Sequence, residues 1–199
     1  MTEERVEGIV LRSTIYKETH RIITLFTSEA GLISVMVKGV KTPERMVLLS
    51  PFSQIEVFFR KKLSDLYLLK DGSLIADNLF LREKWGYLDT AGKMAQLILH
   101  SQMPGKPAPL LYALFIACLK QLPQFDEPAP LLLLFYLKLL THEVLLSLDD
   151  RAAFPISLSA PQWEIMMELA QSKSFKELHK RKGLAPLLQQ LEKNLKDIV

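Results

Sequence analysis

The sequence predicts an α+β protein with its two kinds of element segregated: a small five-stranded β-barrel over residues 1–78, then an α-helical bundle over 79–199. Three observations carry this. Residues 5–76 hold five short runs rich in β-branched and aromatic side chains, separated by turn residues. From about residue 78 the apolar period lengthens from two to between three and four. The hydrophobic fraction of 49% lets 199 residues bury a core in each part, and a charged fraction of 24% is that of a folded chain.

The first strand is read in VEGIVLRST, the second in RIITLFTSE after the loop YKETH, and the third in GLISVMVKG after a turn at Ala30-Gly31. In the third, Ile33, Val35 and Val37 share one face and Ser34, Met36 and Lys38 the other, because side chains alternate across a strand. Gly39 then breaks the alternation, and Lys41, Pro43 and Arg45 make the following connection basic. SQIEVFFRK and LYLLKDGSL complete the set, joined by the tight polar KKLSD. Phe58 and Phe59 are adjacent, so only one can face the interior. Five strands in this span suggest a small sandwich or barrel and fit the oligonucleotide/oligosaccharide-binding (OB) barrel in particular, although other small barrels have the same count.

Helical periodicity begins with NLFLREKWGYLDTAGKMAQLILHSQ, weakened by Gly86 and Gly92. MPGKPAP breaks the chain, and LLYALFIACLKQL follows as a second helix ended by Pro123. PAPLLLLFYLKLLTHEVLLSL is a third, apolar all round and therefore central. After the loop DDRAAFPIS, Ser159 caps the next helix, and Gln162 completes a capping box before WEIMMELA. SFKELHKRK reads as a short helix closed by Gly183. In the last helix Leu184, Leu187, Leu188, Leu191, Leu195 and Ile198 form one stripe.

Several function classes lack their signatures. There is no Walker A loop, no G-x-G-x-x-G and no G-x-S-x-G, so no enzyme activity is expected. His20, His100, His142 and His179 are scattered, and Cys118 is a lone thiol in an apolar helix, so neither a metal nor any other cofactor is expected. Asp149-Asp150 and Asp126-Glu127 read as solvated loop carboxylates. MTEERVEG is acidic and polar, unlike a secretory signal, and the longest apolar run is interrupted by Lys138 and too short for a bilayer. The expectation is a cytoplasmic protein that binds rather than catalyses.

Charge is uneven along the chain. The net charge is +3, but residues 12–62 carry 9 basic against 4 acidic side chains, and 170–199 carry 7 against 3. A barrel of this kind binds single strands in a groove flanked by the loops joining strands 1 to 2 and 4 to 5. Those loops offer Lys17 and Arg21, and Arg60, Lys61 and Lys62. The loop joining strands 3 and 4 adds Lys38, Gly39, Lys41 and Arg45. Cations hold phosphates, and Tyr16, Phe58, Phe59 or Tyr67 could stack on bases, although Phe58, Phe59 and Tyr67 also suit a core.

The order of residues over roughly the first 55 positions resembles the amino-terminal domain of the RecO family, the bacterial recombination mediators. The shared pieces are Gly8-Ile9-Val10-Leu11, Tyr16, Glu18, Leu25, Thr27, Gly31, Lys38-Gly39, Leu49, Pro51 and Phe52. The resemblance implies an OB barrel followed by a helical domain, binding of single- and double-stranded DNA, and annealing of complementary strands. It implies a nucleoid-associated bacterial protein that works in DNA repair and recombination. It also implies cooperation with RecR, and docking of the acidic tail of the single-strand-binding protein so that RecA recombinase can be loaded.

Two departures stand out: the four-cysteine zinc module of many members is missing, and VKTPERMVLL is poor in arginine for this loop. For the acidic tail the helical part offers Lys138, Lys180, Arg181 and Lys182, provided that the short segment holding the last three folds back beside the third helix. Lys138 could equally just snorkel its charge to the surface. A second reading stays open, a protein-only adaptor whose degenerate barrel binds partners but little DNA.

Overall fold

The computed structural model describes residues 3–60, 66–143, 151, 154, 156–172, 174–176 and 178–194. Five strands close a barrel in the order β1-β2-β3-β5-β4: β1 (Glu3–Tyr16), β2 (His20–Thr27), β3 (Gly31–Val37), β4 (Gln54–Arg60) and β5 (Leu66–Ala76). β4 pairs back onto β1, and β3 with β5 is the parallel pair. This strand order is the OB topology, and all five predicted strands are present.

Alternation fills the barrel. Val10, Ile23, Leu25, Ile33, Val35, Val37, Ile55, Val57 and Phe59 point inward and pack with Val40 and Leu49. Phe59 is the inner member of the adjacent pair and stacks on Tyr67 at 4.7 Å, while Phe58 is exposed. A bulge between Val10 and Arg12 shifts the register of β1 against β2. It inserts Leu11, so Arg12 sits opposite Thr24 on the outer face rather than continuing the inward series of Val10.

The basic connection after β3 contains a helix that strand alternation does not reveal, α1 (Pro43–Leu48). The Thr42 side chain accepts the Arg45 N–H, Pro43 occupies the first turn, and Glu44 lies at the positive end of the helix. Hydrogen bonds to backbone N–H and to Thr42 hold the Glu44 carboxyl below its ordinary pKa. Behind α1, the Phe52 N–H donates to Val10 O at 2.7 Å and Asn78 Nδ2 donates to Phe52 O at 2.9 Å, fixing a buried Phe52 at φ 73°.

The chain divides into two compact units, Met1–Leu79 with Gln102–Ala113, and Phe80–Ser101 with Leu114–Val199. In the first, residues 102–113 lie on the barrel. The Gly105 N–H donates to Leu32 O at 3.1 Å, and Tyr112 meets Phe26 edge-on at 5.7 Å. Gly31 makes this approach possible. Its φ is 58°, and a Cβ there would stand 2.0 Å from Lys106 O.

The helices are α2 (Trp85–Ser101), α3 (Pro109–Gln121), α4 (Ala129–His142), α5 (Ala160–Gln171) and α6 (Ala185–Asn194). The first predicted helix starts late: Leu79–Arg82 is a 3-10 turn, and α2 begins at Trp85. In the second unit α4 is buried from Pro130 to Leu140 except at Lys138, as its all-round apolar sequence requires, and α2, α5 and α6 pack against it. The last turns predicted for that helix, Val144 to Leu148, lie outside the described residues, as do Leu195 and Ile198 of the α6 stripe. The Ser159–Gln162 capping box is present. The predicted short helix near 178 is only a 3-10 turn, Leu178–Lys180, followed by Gly183 at φ 72°.

Candidate functional site

The cations predicted on the β1–β2 and β3–β4 connections come together at one end of the barrel. The Val40 N–H donates to Thr19 O at 2.8 Å, tying the two connections to each other. Lys17 stands over the exposed ring of Tyr16 at 5.6 Å, and Arg21 Nη1 reaches Ser13 Oγ at 3.5 Å. Lys38 and Lys41 are exposed. Gly39 has a φ of 67°, and a Cβ there would meet nothing within 4 Å, so the turn is open to solvent on that side. Arg45 differs from its neighbours. Its Nη1 donates to the carbonyls of Lys38 at 3.3 Å and Gly39 at 3.4 Å, so the guanidinium holds the loop's shape.

Register extends this end into a sheet face. Thr14 lies opposite Ile22, Ile22 opposite Met36, Met36 beside Leu68, and Leu68 opposite Arg60. The next row is Arg12, Thr24, Ser34 and Leu66. Lys38 and Lys70 lie two residues beyond Met36 and Leu68. Arg12 and Lys70 are exposed cations on this face that the loop-centred reading of the sequence misses. The far end is closed, because Phe26 and Leu32 occupy outward positions but are buried beneath residues 102–113. Tyr112 also donates to Glu7 Oε1 at 3.2 Å, and burial first, then the Glu7 charge, push its phenol pKa up. Lys61 and Lys62 lie outside the described residues.

The cations of the second unit gather around the carboxyl end of α5. Lys138 Nζ donates to Ala170 O at 2.6 Å, capping a terminal carbonyl with a positive charge. The 3-10 turn Leu178–Lys180 packs against α4, so the segment does return beside that helix. Arg181 pairs with Glu168, while Lys180 and Lys182 are exposed. Glu168, Ser172, Ser174, Lys176, Leu178 and Arg181 border a cleft of about 430 Å³. Among the described residues no group of three His, Cys, Asp or Glu is arranged to hold a metal ion, and no helix is long and apolar enough to cross a membrane.

Residues 1–77 match the family described as Recombination protein O N terminal. The chain is 34% identical over 137 residues to the DNA repair protein RecO of Bacillus subtilis (strain 168), covering 68% of this chain and 54% of that protein. It is 32% identical over 145 residues to the DNA repair protein RecO of Chlamydia pneumoniae, covering 72% and 57%. Against the DNA repair protein RecO of Salinibacter ruber (strain DSM 13855 / M31) it is 32% identical over 121 residues, covering 59% and 46%. The chain thus spans about half the length of the relatives it matches. The signature residues are largely architectural in this structure: Thr27 Oγ1 donates to Gly31 O at 3.0 Å and accepts the Ala30 N–H at 3.0 Å, closing the β2–β3 turn, and the buried Phe52 is tied by its backbone N–H to Val10 at the β1 bulge. With the barrel, its signature turns and the relatives in agreement, this chain belongs to the RecO family.

Proposed function

We propose that this chain is a DNA-binding recombination mediator. Its barrel binds single- and double-stranded DNA and anneals complementary strands. With RecR and the single-strand-binding protein it helps load RecA recombinase, and its helical unit docks the acidic tail of the single-strand-binding protein. The observation that carries the DNA part is the junction of two basic connections at the open end of the outer face. Lys17, Lys38 and Lys41 lie together there with no carboxylate partner among the described residues, beside Arg21 and Arg45. Cations so arranged grip phosphates without reading bases. For the tail, Lys138, Lys180, Arg181 and Lys182 supply positive charge around the α5 terminus, beside a cleft with the apolar floor residues Leu169 and Leu178.

The test is annealing of complementary oligonucleotides by the purified chain, with and without single-strand-binding protein. Acceleration that falls with added salt is expected. One observation favours the adaptor reading as a second choice: Arg45 donates to two backbone carbonyls of its own loop, which occupies donors that a phosphate would otherwise take. Tail binding with no salt-dependent DNA binding would select that reading.

A further inference from the structure

The open outer face of the barrel differs chemically from a base-stacking surface. Its middle is Ile22, Met36 and Leu68, one from each of three neighbouring strands, and all three are half-buried. Its border is cationic, with Arg12 and Arg60 on the flanking strands and Lys38 and Lys70 at one end. Among the described residues, β2, β3 and β5 bring no Phe, Tyr or Trp ring to the open part, and the one imidazole there, His20, lies at its edge opposite Tyr16 and bonded to Thr19. Phe26 is buried against Tyr112, and Tyr67 stacks on the inner Phe59. The exposed rings nearby, Tyr16 and Phe58, each have a cation over one face: Lys17 at 5.6 Å and Arg5 at 5.7 Å. Carboxylates adjoin the border as well, and the register sets Glu3 opposite Arg60. Glu18 is exposed in the β1–β2 turn, and Asp71 accepts the Gly72 N–H at 2.8 Å.

Nonspecific single-strand binders hold bases by stacking them on aromatic side chains and hold the backbone by charge. Here the charge is present and the rings are absent from the middle. We propose that the barrel grips one strand by its sugar-phosphate backbone, sugars against the Ile22–Met36–Leu68 strip and phosphates on the cationic border, with the bases turned out to solvent where a complementary strand can pair with them. This rests on the DNA-binding reading above. It adds a specific geometry: the strand is held without its pairing edges or its π faces being occupied. The strip spans three strands, roughly 10 Å at about 4.8 Å per step, which suits one or two nucleotides.

The experiment titrates the full chain with two fluorescent oligonucleotides of equal length at one low salt concentration. One is a mixed-sequence strand and the other is built of abasic tetrahydrofuran nucleotides. A stacked base contributes roughly tenfold or more in affinity. Affinities within about fivefold of each other are therefore expected if the bases are not held. A larger loss for the abasic strand overturns the inference and leaves DNA binding standing. Failure of both strands to bind removes the underlying reading too, and assigns the aliphatic strip to a protein partner. Met36→Phe provides the location control, since it adds the missing ring. It should tighten the base-bearing strand alone and slow annealing. If M36F treats both strands as the unsubstituted protein does, the strand does not cross this face and the inference fails.

Discussion

Strand β3 and helix α4 are both built from aliphatic residues, yet they expose very different fractions of themselves. In β3, Ile33, Val35 and Val37 are buried and Ser34 and Met36 stay partly outside. In α4, every residue from Pro130 to Leu140 is buried except Lys138, which is half-buried and bonded to Ala170 O. A strand has two faces, and closing a barrel buries only one. A helix ringed by other helices has no free face. The barrel therefore keeps one strand face open to solvent, whereas α4 serves to hold other elements in place.

The largest expected effect tests that contrast directly. Phe135 is fully buried in α4, with the Phe115 ring 6.0 Å away. Phe135→Ala should cost about 3–5 kcal/mol in chemical denaturation, from lost burial and the cavity left behind. Ile22→Ala on the outer face of β2 should cost about 1 kcal/mol. Equal costs would mean that the β-face is as enclosed as the helix.

Next in size is a pair of glycines on either side of β3. Gly31→Ala adds a methyl group that would stand 2.0 Å from Lys106 O at a φ of 58°, so it should cost about 3 kcal/mol as residues 102–113 are pushed off the strand. Gly39→Ala meets no atom within 4 Å at a φ of 67°, so only the backbone preference opposes it, at about 1 kcal/mol. Thermal melts of the two variants side by side decide the point. Similar shifts would remove residues 102–113 from the barrel.

These two regions also show what the sequence could and could not disclose. Alternation with turn residues marked all five strands, and an unbroken apolar run marked α4 as central, because both signals are local. The direction of β5 was hidden, since Leu66 and Leu68 are as apolar as Tyr67 and Leu69, and only the pairing shows that Lys70 is outside. Arg12 was hidden by the bulge, which reverses the parity counted from Val10. α1 carried a legible signal that the basic charge masked: Thr42, Pro43 and Glu44 form an ordinary helix start. Residues 102–113 gave no local sign of lying on the barrel, because that contact is made across some seventy positions with Gly31 and Leu32.

A third effect belongs to the helical side and appears only at high pH. Tyr136 in α4 has its pKa pushed up to about 12, chiefly by burial and secondarily by Glu192. The folded state thus keeps the phenol protonated where the unfolded chain, near 10, begins to lose its proton. The stabilisation is complete below pH 10 and is lost as pH rises from about 10 to 12. Stability of the unsubstituted chain should fall by about 1–2 kcal/mol more than that of Tyr136→Phe across this window. Parallel curves for the two proteins would show Tyr136 to be hydrated.

The smallest effect is the most informative about the barrel's open end. Lys41 and Arg45 lie four residues apart on the same connection but do different things. Lys41 is exposed and its side chain makes no hydrogen bond among the described residues, whereas Arg45 donates to the carbonyls of Lys38 and Gly39. Lys41→Gln should leave stability within about 0.5 kcal/mol of the starting value. If Lys41 touches a phosphate, the same change should lower the slope of log affinity against log salt by about 0.7 for single-stranded DNA. Arg45→Gln should in addition cost about 1 kcal/mol of stability, because two loop carbonyls lose their donor, though both can turn to water. Fluorescence anisotropy over a salt series and denaturation of both variants separate the cases. An unchanged slope for Lys41→Gln would mean that the exposed cation faces no phosphate. The connection would then serve chiefly to hold the barrel's end in shape through Arg45, and the adaptor reading would gain at the expense of the DNA-binding one.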